Sequence, residues 1–261
     1  MLPKPKHLDP KYGMQFQDQS IVDAYHHRPP YPAETFDILS SLITDEPRTV
    51  LDVGCGTGDI ARNLVQFVDR VDAVDFSEAM LAKGKTLPGG NSLQLRWIYG
   101  SVEDVQLFPP YALITAGESV HWMAWDKVFP RFQEMLTPHG YIAIIERNMV
   151  TNSWDAELRI IQRYSTNRVF RPYNLIEELE KRSLFQIYGE KRTAPIPFVQ
   201  SIDQYIEATH SRNGFSRERM TAAQATAFDN EMRNVLAPFA KDEKIALQIV
   251  GHIVWGKPHT Y

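Results

Sequence analysis

Along the chain, short β-branched and apolar runs alternate with stretches whose apolar residues recur every three to four positions. The stretches "SIVDAY" and "PAETFDILSSLI", the second with Phe36, Leu39 and Ile43 at helical spacing, predict two helices separated at "RPPYP". From Thr49 the alternation becomes regular. Strands are predicted at "TVLDV", "VDAVDF", "LQLRWIY", "ALITAG" and "YIAIIER". Helices are predicted at "GDIARNLVQFV", with Ile60, Leu64 and Phe67 on one face, at "EAMLAKGK", and at "WDKVFPRFQEML", which Pro130 should interrupt. Strands alternating with helices imply βαβ units and a doubly wound α/β fold with a mostly parallel sheet, running through about Arg147. After that point the pattern changes. Residues 153–182 read as helical, with Trp154, Leu158 and Ile161 on the apolar face; 183–199 read as a strand flanked by turns, and 201–240 as more helix. A last apolar run, "LQIVGHIVWG", reads as a strand that rejoins the sheet. The expected organisation is a flexible arm over 1–19, rich in Pro, Lys and Gln, an α/β core over 20–150, and a helical cap over 151–240. The cap is inserted in the C-terminal half with a returning strand near 185–199, and 241–261 forms the final strand of the core sheet.

Composition narrows the partners. A chain of 261 residues can bury one large core, with or without a cap. The formal net charge of −4 and the absence of any Lys/Arg run lack the basic footprint of a nucleic-acid binder, so a small molecule is the expected partner. The single cysteine, Cys55, excludes an intramolecular disulfide framework and a cysteine-built zinc site; it fits a reducing compartment, and a cytoplasmic location is expected. No metal is expected. The N-terminal "MLPKPKHLDPKYG" has no apolar core of a signal peptide, and no window is long and apolar enough to span a membrane. Monomer and homodimer stay open.

The stretch "VLDVGCGTGDIA", residues 50–61, carries the candidate chemistry. Gly54, Gly56 and Gly58 follow a strand directly and precede a helix. Such a turn admits positive φ, removes Cβ atoms and lets a ligand approach main-chain N–H groups at a helix start. The dinucleotide fingerprint G-x-G-x-x-G needs a third glycine at position 59, where this chain has Asp59, an acid that sits badly beside a pyrophosphate. Asp75 ends the next strand, where a carboxylate can accept hydrogen bonds from both hydroxyls of a ribose; as a helix cap it is redundant with Ser77. The combination favours a nucleoside without a pyrophosphate.

Taken in order, "VLDVGCGTGDIA", "VDAVDFSEAML", "YGSVEDVQL", "LITAGESVHWM" and "LTPHGYIAIIE" are similar to the successive motifs of class I S-adenosylmethionine-dependent methyltransferases. Within that superfamily the chain resembles the small-molecule branch that includes the trans-aconitate methyltransferase-like enzymes. The resemblance implies the Rossmann-like methyltransferase fold, S-adenosylmethionine as cofactor and S-adenosylhomocysteine as product. It implies that Gly54, Gly56 and Gly58 approach the methionyl part, with Asp52 near its amino group. It further implies that Asp75 takes the ribose hydroxyls, that Phe76 lies against the adenine, that Met80 contacts the cofactor, and that the segment from Ser101 to Asp104, with Val102 and Glu103, meets the adenine amino group. Many relatives have Asp where this chain has Ser101, so that contact can pass to Glu103 or Asp104. Ala116 and Gly117 would border the sulfonium, and Tyr25 and Arg28, from a helix that closes over the site, would reach the methionyl carboxylate.

A sulfonium methyl donor is already electrophilic, so the protein's task is to hold a nucleophile in line and exclude water; a base is required only for a poorly acidic acceptor. His121 in "ESVHWM" is the candidate general base, although the favoured reading of His121 with Trp122 is packing beneath the cofactor. Tyr31, Tyr164 and Arg168, together with His121 and Trp122, are the candidate acceptor contacts, while Arg159 and Arg163 read as a solvated face. The expected reaction is methyl transfer to an O or N atom of a small molecule. The alternatives are a nicotinamide- or flavin-dependent oxidoreductase, against which Asp59 argues, and a non-catalytic S-adenosylmethionine-binding protein.

Overall fold

The computed structural model describes residues 3–259. Its elements are α1 (Pro10–Gly13), α2 (Gln19–Ala24), α3 (Glu34–Ser41), β1 (Thr49–Val53), α4 (Ala61–Leu64), β2 (Arg70–Asp75), α5 (Glu78–Thr86), β3 (Leu95–Tyr99), β4 (Tyr111–Gly117), α6 (Trp125–Met135) and β5 (Leu136–Val150). The C-terminal part adds α7 (Trp154–Tyr164), α8 (Leu175–Glu180), β6 (Phe185–Arg192), β7 (Ile196–Ser201), α9 (Ile202–His210), α10 (Ala222–Leu236) and β8 (Lys244–Pro258). The sheet order is β3-β2-β1-β4-β5-β8-β6, with β7 also on β8. The strands β1 to β5 pair in parallel, whereas β8 runs antiparallel to β5, β6 and β7.

The two-residue period of a strand sorts the apolar runs onto both faces of this sheet. Leu51, Val53, Ile142 and Ile144 point into one core with Phe129 and Phe132 of α6. Their neighbours Val50, Ala143 and Ile145 point into the other, with Leu39 of α3 and Leu64 of α4. A third cluster joins Ile160 of α7, Tyr205 of α9 and Phe228 of α10 to Ile245, Leu247 and Ile249 of β8. The C-terminal helices therefore pack on an extension of the sheet itself. Helix starts carry their own caps: the Ser77 side chain accepts from the Met80 N–H, and Ser201 with Gln204 and Thr221 with Gln224 form reciprocal capping boxes.

Several expectations need correction. Residues 3–19 are folded on the core, because single residues of that polar stretch find specific sockets: Leu8 is buried in the main core, and Lys4 Nζ donates to the Met123 carbonyl at 2.8 Å. Helix α6 passes through Pro130 without interruption; the carbonyl that loses its donor belongs to Asp126, in the first turn and exposed to water. The 183–199 stretch makes two strands, β6 and β7, which line one edge of the long β8 end to end. On α7 the buried positions are Glu157 and Ile160, while Trp154 and Leu158 are exposed. Glu157 tolerates burial because Ser153 Oγ donates to it at 2.5 Å and the Tyr205 hydroxyl at 2.8 Å.

Candidate active site

The glycine loop joins β1 to α4 at the carboxyl edge of the sheet. Gly54, Gly56 and Gly58 all have positive φ, at 62°, 55° and 79°. A Cβ on Gly54 would lie 2.6 Å from Ser119 Cβ, and one on Gly56 would face the Tyr25 hydroxyl at 3.3 Å. These two glycines line a pocket of about 440 Å³, within the size range of small-molecule sites. Gly58 has a different task from the one expected: its missing Cβ makes room for Trp97 of β3, whose Cη2 would be 2.4 Å away, and it is not among the pocket-lining residues. Gly58→Ala is expected to destabilise the fold by roughly 1–2 kcal/mol through its backbone strain and this contact, while the folded fraction keeps its ligand affinity. Thermal unfolding alongside a binding titration separates the two effects.

Asp75 sits at the end of β2 facing the same pocket. Its Oδ2 accepts from the Gly56 N–H at 2.7 Å and its Oδ1 from the Ser77 N–H at 2.8 Å, which leaves each oxygen a free lone pair. Burial raises its pKa to about 6, against the pull of those N–H groups. Asp52, expected at the ligand, is instead committed beneath the loop: Oδ1 accepts from Thr115 Oγ1 at 2.9 Å and Oδ2 from the Ala61 N–H at 3.1 Å. It borders only a void of about 20 Å³ under Gly54, and desolvation lifts its pKa to about 7.

The remaining walls come from scattered elements. Phe76, Met80 and Val102 give an apolar side, and Ser101, Glu103 and Asp104 a polar rim. The Glu103 carboxylate is partly spent, accepting from the Ala124 N–H at 2.7 Å and from Ser101 Oγ. Tyr25 and Arg28 line the pocket, and Arg28 lies 4.3 Å over the Tyr25 ring while its Nε donates to Ser211 Oγ at 2.8 Å. From the N-terminal stretch Gly13, Met14 and Phe16 also reach it, and the Cβ place on Gly13 is 3.3 Å from Trp122. Sequence reasoning missed these residues, since nothing in a Pro- and Lys-rich stretch marks which side chain finds a socket.

It also missed Glu118 and Arg147. Glu118 follows β4 with φ at +50°, and its Oε2 accepts from Arg147 Nη2 at 2.9 Å and lies 3.5 Å from Arg28 Nη1. Arg147 of β5 is almost wholly buried, donates also to the Pro29 carbonyl and lies 4.5 Å over the Tyr31 ring. The two arginines hold the Glu118 carboxyl below its usual range despite burial. Tyr31 is thus buried under Arg147, outside the main pocket.

Trp122 lines the main pocket, but His121 and Ala116 open on an adjoining cavity of about 250 Å³, which meets the first at Glu118 and Ser119. The His121 ring lies tilted at 58° to Trp122 with the ring centres 4.6 Å apart, and burial lowers its pKa to about 4. Two expected acceptor residues lie elsewhere. The Tyr164 hydroxyl donates to Glu231 at 2.7 Å within the cap, and Arg168 is exposed, donating to the Arg163 carbonyl. Among the described residues no group of three or more His, Cys, Asp or Glu side chains could hold a metal ion, and no helix is long and apolar enough to cross a membrane.

Residues 50–140 match a methyltransferase domain family. The chain is 26% identical over 220 residues to a trans-aconitate 2-methyltransferase from Acidovorax sp., covering 77% of this chain and 78% of the relative. It is 29% identical over 91 residues to a malonyl-acyl-carrier-protein O-methyltransferase from Anoxybacillus flavithermus, where the match spans 34% of each chain. That alignment therefore covers about a third of the relative's length. Among solved structures, a protein from Anaeromyxobacter dehalogenans with a provisional type II methyltransferase description superposes with a TM-score of 0.61 at 20% identity, over 89% of this chain and 97% of that one. The YcgJ protein from Bacillus subtilis does so at 0.54 and 14% identity, over 88% of this chain and all of that one. Residues 50–140 are thus similar to a methyltransferase domain, and the chain as a whole shares the fold of these solved structures.

Proposed function

We propose that the chain transfers a methyl group from S-adenosylmethionine to an O or N atom of a small-molecule acceptor. The observation that carries this reading is the convergence of Gly54, Gly56 and the Asp75 carboxylate on one pocket of about 440 Å³. The lining suits a nucleoside thioether better than a dinucleotide: there are two glycines without side chains, a carboxylate with lone pairs to spare and an apolar side at Phe76 and Met80. Asp59, bonded to Arg62 at 2.8 Å, would face a pyrophosphate with negative charge, which disfavours the oxidoreductase alternative. The adjoining cavity beside His121 favours an acceptor over mere cofactor storage.

In this reading the cofactor supplies an activated methyl group, and the chain's own residues bind, orient and exclude water. Asp75 accepts from the ribose hydroxyls, Phe76 and Met80 flank the adenine, and Ser101 to Asp104 meet its amino group. Arg28, fixed by Ser211 and Tyr25, offers a cation to the methionyl carboxylate. Trp122, with Gly13 against it, covers the pocket. His121, neutral at pH 7, can accept a hydrogen bond from an acceptor hydroxyl or amine. The net charge of −4 supports a small-molecule partner rather than a nucleic acid, and a single, half-buried cysteine suits a reducing cytoplasm.

Calorimetric titration with S-adenosylhomocysteine, with NAD(H) as control, tests the reading: micromolar binding of the first and silence from the second is the expected result, and the reverse, or no binding of either, defeats it. The same titration carried across pH has a definite sign. Ribose hydroxyls donate best to an ionised Asp75, whose pKa is about 6, so affinity should be full above that pH and decline as the pH falls through it. Asp75→Asn should remove this dependence.

A further inference from the structure

Two of the relatives above are named for trans-aconitate and for malonyl-acyl-carrier protein, but the adjoining cavity of this chain has the wrong charge for a carboxylate. It holds two carboxylates, Glu118 and Glu146, and its arginine is Arg147, whose guanidinium is buried and committed to Glu118 and the Pro29 carbonyl. The further cation-capable groups around it are engaged: His252 lies 3.8 Å from Glu146 and 3.1 Å from Glu190, Arg28 is held by Ser211 and lies 3.5 Å from Glu118, and Lys4 donates to the Met123 carbonyl. Three polar side chains at the cavity, those of His121, Asn148 and Tyr173, make no hydrogen bond among the described residues. Ile144 and Leu175 supply an apolar floor. We propose that this cavity receives the methyl acceptor and that the acceptor presents an uncharged hydroxyl or an amine there, not a carboxylate, hydrogen-bonded among His121, Asn148 and Tyr173.

The inference rests on the methyltransferase reading for the word acceptor, and on the cavity alone for its ligand chemistry. An anion entering would lose its hydration without gaining a free cation, and would face Glu146 at close range. A hydroxyl or amine finds acceptors in the His121 ring, kept neutral by burial, and in the Asn148 oxygen, and an amine gains from Glu146. Arg212, a nearby guanidinium with no oxygen partner among the described residues, contacts Met149 Sδ at 3.3 Å and is not among the residues that line the cavity.

The test uses three aromatic probes of one size, phenol, benzylamine and benzoate, titrated into the full chain after S-adenosylhomocysteine binding has been read separately. Binding is followed through the ring resonances of isotope-labelled His121, assigned with His121→Phe. Phenol or benzylamine should bind at least roughly tenfold more tightly than benzoate, and Glu146→Gln should narrow the benzylamine-to-benzoate ratio several-fold. Benzoate binding as well as or better than the others, sensitivity of any benzoate binding to Arg212→Met, or silence of the His121 signal with all three would overturn the inference. A silent S-adenosylhomocysteine titration would instead indict the methyltransferase reading and leave the probe result on the unliganded protein interpretable.

Discussion

Asp75→Ala is expected to weaken S-adenosylhomocysteine binding by about 2 kcal/mol or more, roughly 30-fold, with the fold retained. The carboxylate is the one acceptor in the pocket whose two oxygens are both pre-aimed, each fixed by a backbone N–H from Gly56 or Ser77. A ribose diol therefore meets an acceptor that needs no reorganisation. Alanine removes that acceptor and frees the Gly56 N–H, so the loop loses its strut as well as its ligand contact. Asp75→Asn keeps one oxygen and should fall between the two. Calorimetry on the three proteins gives the order, and an affinity for alanine equal to the native one would refute the assignment.

Glu118→Ala should be the most costly single change at the site for stability, at about 2–3 kcal/mol. Removing this carboxylate leaves Arg147 buried with the Pro29 carbonyl, the face of Tyr31 and Asp59 no nearer than 4.0 Å, and a poorly paired buried charge is expensive. The backbone adds a distinguishing signature. Glu118 occupies a left-handed conformation at φ +50°, which glycine adopts without strain and alanine does not. Glu118→Gly should therefore be less damaging than Glu118→Ala by up to about 1 kcal/mol, the reverse of the usual order inside regular structure. Equal chemical-denaturation midpoints for the two variants would contradict the strain argument, and a native-like midpoint for both would contradict the ion-pair one.

The parts of the molecule legible in the sequence are those where one physical requirement acts locally. Strands β1 and β4 are read from their apolar runs because both faces are buried, and Asp75 is read from its place at a strand end after a bare loop. Gly58 shows the limit of local reading: the need for glycine is visible, but the atom that imposes it is Trp97, on a strand two steps away in the sheet. The Glu118–Arg147 pair was invisible for the same reason, since the two meet only through the pairing of β4 with β5. Helix α7 misled in the opposite direction. Its Trp154 and Leu158 follow an apolar spacing, yet a glutamate one step away is buried, because Tyr205 and Ser153 supply donors that no periodicity records. The adjoining cavity, assembled from β4, β5 and the segment before α8, has no signature in any single stretch.

The strand β8 has an architectural consequence. Over its 15 residues it gives Ile245, Leu247 and Ile249 to the cluster under the C-terminal helices, then Ile253 and Val254 to the two cores flanking the sheet. A single unbroken strand thus belongs to the two cores flanking the sheet and to the cluster under the C-terminal helices. The C-terminal helices are in this sense joined to the nucleotide-side sheet by a shared beam rather than by a joint, and the two halves form one cooperative unit. Sequence drift in those helices is then constrained by the stability of the whole chain, and the freedom to vary the acceptor lies with the side chains that project from the beam's neighbours, not with the placement of the helices.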